Sequence, residues 1–438
     1  MKKHRCLFSA LIFLVCYTHF QSLQAQAPVL SAADAVKIAL ESNYDIRLSR
    51  ADADIARLND TKGNAGMLPT VNFVANENIT LSAFQQQLAN GSEFVASGAF
   101  FNNANAGVQL SWTLFDGHRM QLMKSRLEQN AALGQLNLQS MVQTTAANVL
   151  LAYYEIVRGK MQERALAEVI VLNEERLRIA EARLTAGFAA QTDALQARID
   201  LNQRRSDLLL QQNATATAKR SLNRLLVRAP ETAFEVDETL DNTYSPNKTA
   251  LTEQVLAQNP TLISFQKSAE IAAILVDETR TLGKARLTGI SQLNALRSDN
   301  GAGFALNNTQ AGITVGASFV APLYSGGNVK RQVQTAQVAA EQAKLRVENQ
   351  RAIIETELEN QLSSLQVQQQ ILGMEDENVR AARENLSVST ARFRVGTTNG
   401  LEPQTAQNSL EQVLIRRNMA LYNLKVAELR IRLLAGDL

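Results

Sequence analysis

Past the pair Gly326-Gly327 the chain runs to Arg394 without a proline and with one glycine, Gly373. In that stretch Leu358, Leu365, Leu372, Val379, Leu386 and Phe393 recur every seven residues. An apolar stripe of strict period seven stays in contact with a partner only if helices wind around one another with a left-handed twist. At 1.5 Å per residue such a helix would reach about 100 Å. An earlier stretch has the same spacing, in Val149, Ile156, Ile170, Leu177 and Leu184, with Glu163 the one polar intruder. Only 21 glycines and 7 prolines occur in 438 residues, in keeping with long unbroken helices.

The chain repeats itself. Arg183-Leu184-Thr185-Ala186-Gly187 corresponds to Arg392-Phe393-Arg394-Val395-Gly396, and Leu114-Phe115-Asp116-Gly117 to Leu323-Tyr324-Ser325-Gly326, both at a spacing of 209. A looser match joins Ala39–Asn43 to Val255–Asn259 at a spacing of 216. These matches predict two structural repeats, 26–227 and 251–438, separated by a linker at 228–250 that holds Pro230 and Pro246. Each repeat is expected to contain a shorter helix (32–66; 250–286), a β-hairpin (about 70–115; about 288–323), a long helix (118–185; 326–395) and a returning helix (190–227; 400–434).

The hairpins show period-two alternation. Val108, Leu110, Trp112 and Leu114 fall on one face, and Gly107, Gln109, Ser111 and Thr113 on the other. In the second repeat Ile313, Val315, Ala317, Phe319 and Ala321 face away from Gly312, Thr314, Gly316 and Ser318. Weaker strands precede them at about 70–80 and 288–296, with polar loops expected at 84–105 and 297–310. Nine or so alternating residues suit a tilted strand crossing a bilayer.

Residues 1–25 read as a secretory signal peptide: a basic start at Lys2, Lys3 and Arg5, the apolar run Leu7–Val15, and small residues around Ala25. A lipid anchor on Cys16 is the alternative, behind a poor lipobox, Phe13-Leu14-Val15. Cys6, Cys16, His4 and His19 all fall in this segment, leaving His118 as the one later member of either type. Disulfide scaffolds, zinc sites, thiol chemistry and histidine triads are thereby excluded, and no phosphate loop occurs, so neither an enzyme nor a metal or cofactor is expected. A net charge of +2 gives no footprint for nucleic acid.

Four amphipathic strands cannot close a membrane barrel, since the smallest have about eight, and lipid tolerates no open sheet edge. If these strands span a membrane, several chains share one barrel. Strand pairs feeding long paired helices, twice over, describe a β-pore continuing into a helical conduit. A non-pore coiled-coil scaffold or adhesin is the alternative.

The chain resembles the TolC-type outer membrane efflux proteins over nearly all of its length after the leader. The resemblance rests on Leu68-Pro69 before the first strand, on Leu114–Gly117 and Leu323–Gly327 at the strand-to-helix junctions, and on the paired tips Arg183–Gly187 and Arg392–Gly396. The second repeat departs by carrying Thr288 where a Leu-Pro would stand, so its strand start is set only to within a few residues. The resemblance implies a homotrimer with a twelve-stranded barrel in the outer membrane of a Gram-negative bacterium and a long periplasmic coiled-coil barrel of twelve helices. Its implied partners are further copies of itself, a periplasmic adaptor, an inner-membrane transporter and outer-membrane lipid.

Site residues follow from the same reading. Gly187 and Gly396 end their helices, where a left-handed residue is expected. By resemblance Leu184, Ala186, Gly187, Phe393, Val395 and Gly396 form the tips that dock the adaptor. Asp193 and Glu402 fall where the family places constricting carboxylates, with Thr405 replacing a second acid and Thr398 an arginine that locks the tip. Both acids also suit helix first turns, where Asn399 and Glu402 fit a loose capping pair and Pro403 an early helical position. Trp112, the one tryptophan, is expected to anchor at the membrane interface. His118 is expected as a surface or capping residue, and the alternating charges of 341–359 as a solvated helix face.

Overall fold

Helix boundaries are written into the chain as caps. The structure is a computed structural model that describes residues 28–240, 243–302 and 306–438; the expected signal peptide with Cys16 lies outside them. A two-residue strand β1 (Val29–Leu30) leads into α1 (Ala32–Ser42), whose N-cap Ser31 accepts from the Asp34 amide. Then come α2 (Tyr44–Asn59), β2 (Thr70–Gln87), β3 (Glu93–Phe115), α3 (Arg119–Thr185) and α4 (Gln191–Leu225). The remainder comprises β4 (Glu235–Val236), α5 (Lys248–Gln258), α6 (Pro260–Arg280), β5 (Arg286–Asn300), β6 (Asn307–Val320), α7 (Asn328–Arg394) and α8 (Leu401–Ala435). Both long helices have 67 residues and both returning helices 35.

The single helices expected at 32–66 and 250–286 are each broken in two. Asn43 and Asn259 take extended backbone angles, and each donates its amide to the carbonyl four residues back, Ala39 and Val255. After Asn259 the break is imposed by Pro260, which disfavours helical angles in the preceding residue. Asn43 is held instead by its side chain, which donates to the Leu225 carbonyl at 2.9 Å.

The chain divides into two compact units. The first comprises residues up to 43, 146–244 and 365–429. Its core gathers Ala35, Val149, Tyr153, Ile156, Leu222, Phe234 and Val236. Phe234 and Val236 come from the segment expected to be a linker, which is pinned by parallel pairing of β4 with β1. Tyr153 fastens it: the hydroxyl donates to the Leu30 carbonyl at 2.9 Å and accepts the Asp237 amide at 2.9 Å. Farther along, Leu365, Leu372, Leu386 and Phe393 of the seven-residue stripe are buried, and Val379 packs beside them.

The second unit comprises 44–145, 245–364 and 430–438. It holds an antiparallel sheet in the order β2-β3-β5-β6. The strands have 18, 23, 15 and 14 residues, so they continue well into the regions expected as polar loops at 84–105 and 297–310. β5 begins at Arg286, two residues before the expected start. Among the described residues no helix is long and apolar enough to cross a membrane.

Candidate functional site

Register sorts the sheet into two unlike faces. Directly paired residues share a face, and the face alternates along each strand. One face carries the rows Leu287/Phe319, Trp112/Gly289/Ala317, Val71/Leu110/Ser291/Val315, Phe73/Val108/Leu293/Ile313 and Ala75/Ala106/Ala295/Ala311. This apolar band is nine residues tall along β6, from Ala311 to Phe319, and ends at the polar row Glu77/Ala104/Arg297/Thr309. With strands tilted by 35–45°, nine residues cover roughly 21–25 Å, close to the height of a lipid-facing band. Phe73, Ile313, Val315 and Phe319 are all exposed to solvent. The opposite face carries Thr113/Thr288/Ser318, Asn72/Gln109/Gln292/Thr314, Val74/Gly107/Asn294/Gly312 and Asn78/Asn103/Ser298/Asn308, a polar and mostly uncharged surface. The two outer edges, along β2 and β6, have no strand paired to them among the described residues.

Trp112 sits one row in from the lower end of the apolar band. Its Nε1–H donates to the Met67 carbonyl at 3.0 Å while the ring stays about half exposed. An apolar body with its polar atom satisfied at one end suits an interface. His118 precedes α3 in a left-handed conformation, φ 74°, and its ring packs edge-on against Phe115.

The second candidate region, in the other unit, lies at the turns after α3 and α7. The two turns are alike. Gly187 has φ 77° and Gly396 φ 82°. Phe188 donates its amide to the Arg183 carbonyl, and Thr397 to that of Arg392, a span of five residues in each. This is the Schellman C-cap, which glycine adopts without side-chain strain. Ala186, Gly187, Val395 and Gly396 are exposed there. Phe393 is not: at 1% exposure it is the core beneath the tip, packed with Ile179, Ala180, Ala194 and Ala197, and Leu184 lies half-buried against the same cluster. The expectation that Phe393 forms part of an exposed docking surface is therefore corrected. Its heptad position turns it inward, and Phe188 is the exposed aromatic at the first turn, 77% accessible.

One side chain that the sequence did not single out as a site joins the two turns. Arg183 donates to the carbonyls of Phe393 (3.0 Å), Thr398 (3.4 Å) and Phe188 (3.3 Å), and its guanidinium lies 4.9 Å from the centre of the Phe393 ring. Glu402 is held as well. Arg392 Nη1 lies 2.6 Å from its Oε1, and the Thr398 hydroxyl donates to its other oxygen. Asn399 caps by accepting the Leu401 amide at 3.2 Å, so the expected capping pair is half made, Glu402 being turned to Arg392. The Thr405 hydroxyl donates back to the Leu401 carbonyl.

Asp193 lines a cleft of about 350 Å³ with Arg176, Gln196, Phe393, Leu401 and Gln404. No side-chain hydrogen bond or ion pair engages it among the described residues. Behind the cleft the buried Arg176 pairs with Asp200, which also accepts from Gln196 and Gln404, both at 2.8 Å. Glu175 is held below the ordinary carboxylate range by hydrogen bonds from Arg178 first and then from Arg394 on α7.

The profile of the family described as "Outer membrane efflux protein" matches residues 35–227 and 251–437. The outer membrane efflux protein BepC of Brucella suis biovar 1 (strain 1330) is 24% identical over 365 residues, 81% of this chain and 78% of that one. The outer membrane protein TolC of Escherichia coli (strain K12) is 23% identical over 414 residues, 91% and 80% of the two chains. Among solved structures, the outer-membrane channel OprN superposes with a TM-score of 0.78 at 19% identity, over 93% of this chain and 90% of that one. The outer membrane protein VceC of Vibrio cholerae superposes with 0.77 at 16% identity, over 92% and 96%. With its sheet of two unlike faces, its long heptad helices and a profile match over most of its length, the chain belongs to the outer membrane efflux protein family.

Proposed function

We propose that three copies of this chain close one twelve-stranded barrel and that their helices continue it as a periplasmic tunnel. As a family member the chain is an outer-membrane efflux channel of a Gram-negative bacterium, at work in a tripartite system; it conducts, and no chemistry is asked of it. The observation that carries the assembly is the sheet: an apolar band about one bilayer tall on one face, a polar wall on the other, and two unpaired edges. In hydrocarbon each unpaired backbone group would cost several kcal/mol, so the edges of β2 and β6 must meet strands of further copies. Two copies would supply eight strands, whose interior side chains just fill. Three supply twelve and leave an aqueous lumen lined by the Asn, Gln, Ser, Thr and Gly of the polar face. A scaffold or adhesin would have no use for a lipid-height band.

The tips meet the periplasmic adaptor through Ala186, Gly187, Val395 and Gly396, whose small or short side chains allow close approach, with Leu184 supporting them from below and Phe188 beside them. Glu402 and Asp193, with Thr398 and Thr405 nearby, form the periplasmic constriction; within each copy Arg183 ties the two turns together and the Arg392–Glu402–Thr398 contacts hold the second. Trp112 anchors the barrel at its membrane interface. The purified protein in planar bilayers tests this: discrete unitary conductance from particles of three chains is expected. A detergent-free monomer without conductance would overturn it.

A further inference from the structure

We propose that the base of the barrel carries an anion-binding collar, built from Arg286, Lys284 and Arg119, that favours cargo bearing carboxylate, sulfonate or phosphate groups. This rests on the reading above, in which the polar face of the sheet lines the lumen.

Charge on that face is confined to one place. From the row Thr113/Thr288/Ser318 up to Asn78/Asn103/Ser298/Asn308 every paired residue on the polar face is uncharged. One step below, Arg286 pairs with Val320 on the same face. Its Nη2 donates to the Thr113 hydroxyl at 3.2 Å, and no carboxylate forms an ion pair with it among the described residues. Lys284 is likewise without an acid: its Nζ reaches the Gly117 carbonyl at 3.3 Å.

Both side chains line a cleft of about 480 Å³ together with Arg119, Asp116, Met120 and Pro322. Both oxygens of Asp116 accept the Met120 amide, at 3.3 and 3.1 Å, so this acid is engaged at the start of α3. The other nearby carboxylate, Glu278, is buried and shared between Arg126 at 2.7 Å and Arg119 at 3.7 Å. Two cations without an acid partner, Lys284 and Arg286, therefore line the cleft beside Arg119, which is shared with Glu278, and face the single lining acid Asp116. A guanidinium presents a planar fork suited to carboxylate and phosphate, and an ammonium beside it adds a point charge. Clustered like charge in a narrow aqueous passage raises the local concentration of counter-ions. Screening limits the effect to about 8–10 Å at physiological salt, so it acts where the lumen passes the collar. Three copies would set three such clefts around one opening.

Arg286→Gln combined with Lys284→Gln tests the collar, leaving Arg119 in place because it supports buried Glu278. In planar bilayers under a potassium chloride gradient, the permeability ratio of chloride to potassium should fall severalfold in the double variant. Inorganic pyrophosphate should need at least threefold more to block the variant than the native channel. Arg286→Lys should keep the ion selectivity, since it keeps the charge, while weakening the pyrophosphate block. A native-sized conductance whose selectivity and block ignore the double substitution would overturn the collar alone. So would an Arg286→Lys channel as unselective as the double variant. A native protein that conducts nothing would remove the barrel reading, and the collar with it.

Discussion

Arg183 holds two turns that are more than two hundred residues apart in sequence, and its three acceptors are all backbone carbonyls. Hydrogen bonds from a charged donor contribute about 1.5–3 kcal/mol when shielded, and less at an exposed tip. Arg183→Ala should speed amide exchange at Phe188 and Thr397 about tenfold, equivalent to ~1.4 kcal/mol, and raise the open probability of the channel. Unchanged exchange would mean that the glycine caps alone fix the turns. Glu411 behaves in the opposite sense to a paired surface acid. Burial, aided by Asp207, pushes its carboxyl above the usual range despite Arg204 at 3.0 Å. An acid whose pKa is raised by folding destabilises the fold when ionised, and that cost disappears as pH falls from the raised value toward the ordinary carboxylate range. Glu411→Gln should therefore melt above the native protein at pH 7, with the difference shrinking toward pH 4.5 in thermal unfolding of the detergent-solubilised protein. The family pattern puts Glu402 at the tip, but nothing in the local spacing shows that Arg392, ten positions away, pairs with it. Such pairings depend on how a turn folds back, which no local spacing encodes.

At the scale of elements, the heptad stripe, the capping glycines and the alternation of β3 and β6 were legible because each repeats at the period of its own secondary structure. The upper halves of the hairpins were not. Asn102, Asn103 and Asn105 make the end of the 84–105 stretch look like loop, since asparagine is depleted in strands. In the sheet a continuing ladder overrides that preference, and side chains bond across it, Asn76 to Asn105 at 3.3 Å and Asn102 to Glu77 at 3.1 Å. The segment at 228–250 carries no strand signal because β4 is only two residues long, too short to display a period. Glycine in strands is equally local in meaning. Gly107 and Gly312 stand in one row of the polar face, but a Cβ on Gly107 would lie 2.5 Å from the Leu293 carbonyl oxygen, while one on Gly312 meets nothing within 4 Å. Gly107→Ala should force β3 and β5 apart and cost about 1–3 kcal/mol, whereas Gly312→Ala should cost little. The comparison is read in the temperature at which the detergent-solubilised oligomer dissociates, and equal values for the two variants would contradict the packing argument.

For the whole molecule the decisive question is which solvent each face of the sheet meets. Sequence alternation could assign residues to two faces, but only the register shows that the apolar positions of four strands align into one band of bilayer height, bounded by a polar row at Arg297 and Thr309. Val315 and Thr314 are neighbours on β6 that point to opposite faces, and both are exposed in the single chain. In a water-soluble protein an arginine at either position would be tolerated alike. In a barrel the two differ sharply, because a charge facing lipid near the midplane costs about 2–4 kcal/mol per copy while one facing the lumen stays in water. With the three copies proposed above, the difference multiplies to roughly 6–12 kcal/mol per assembly. Val315→Arg should thus greatly reduce the amount of trimer recovered from the outer membrane, whereas Thr314→Arg should assemble normally and shift the permeability ratio toward chloride. Recovery of both variants in equal amount would mean that the band does not face lipid. Loss of Thr314→Arg alone would mean that the faces are assigned the wrong way round.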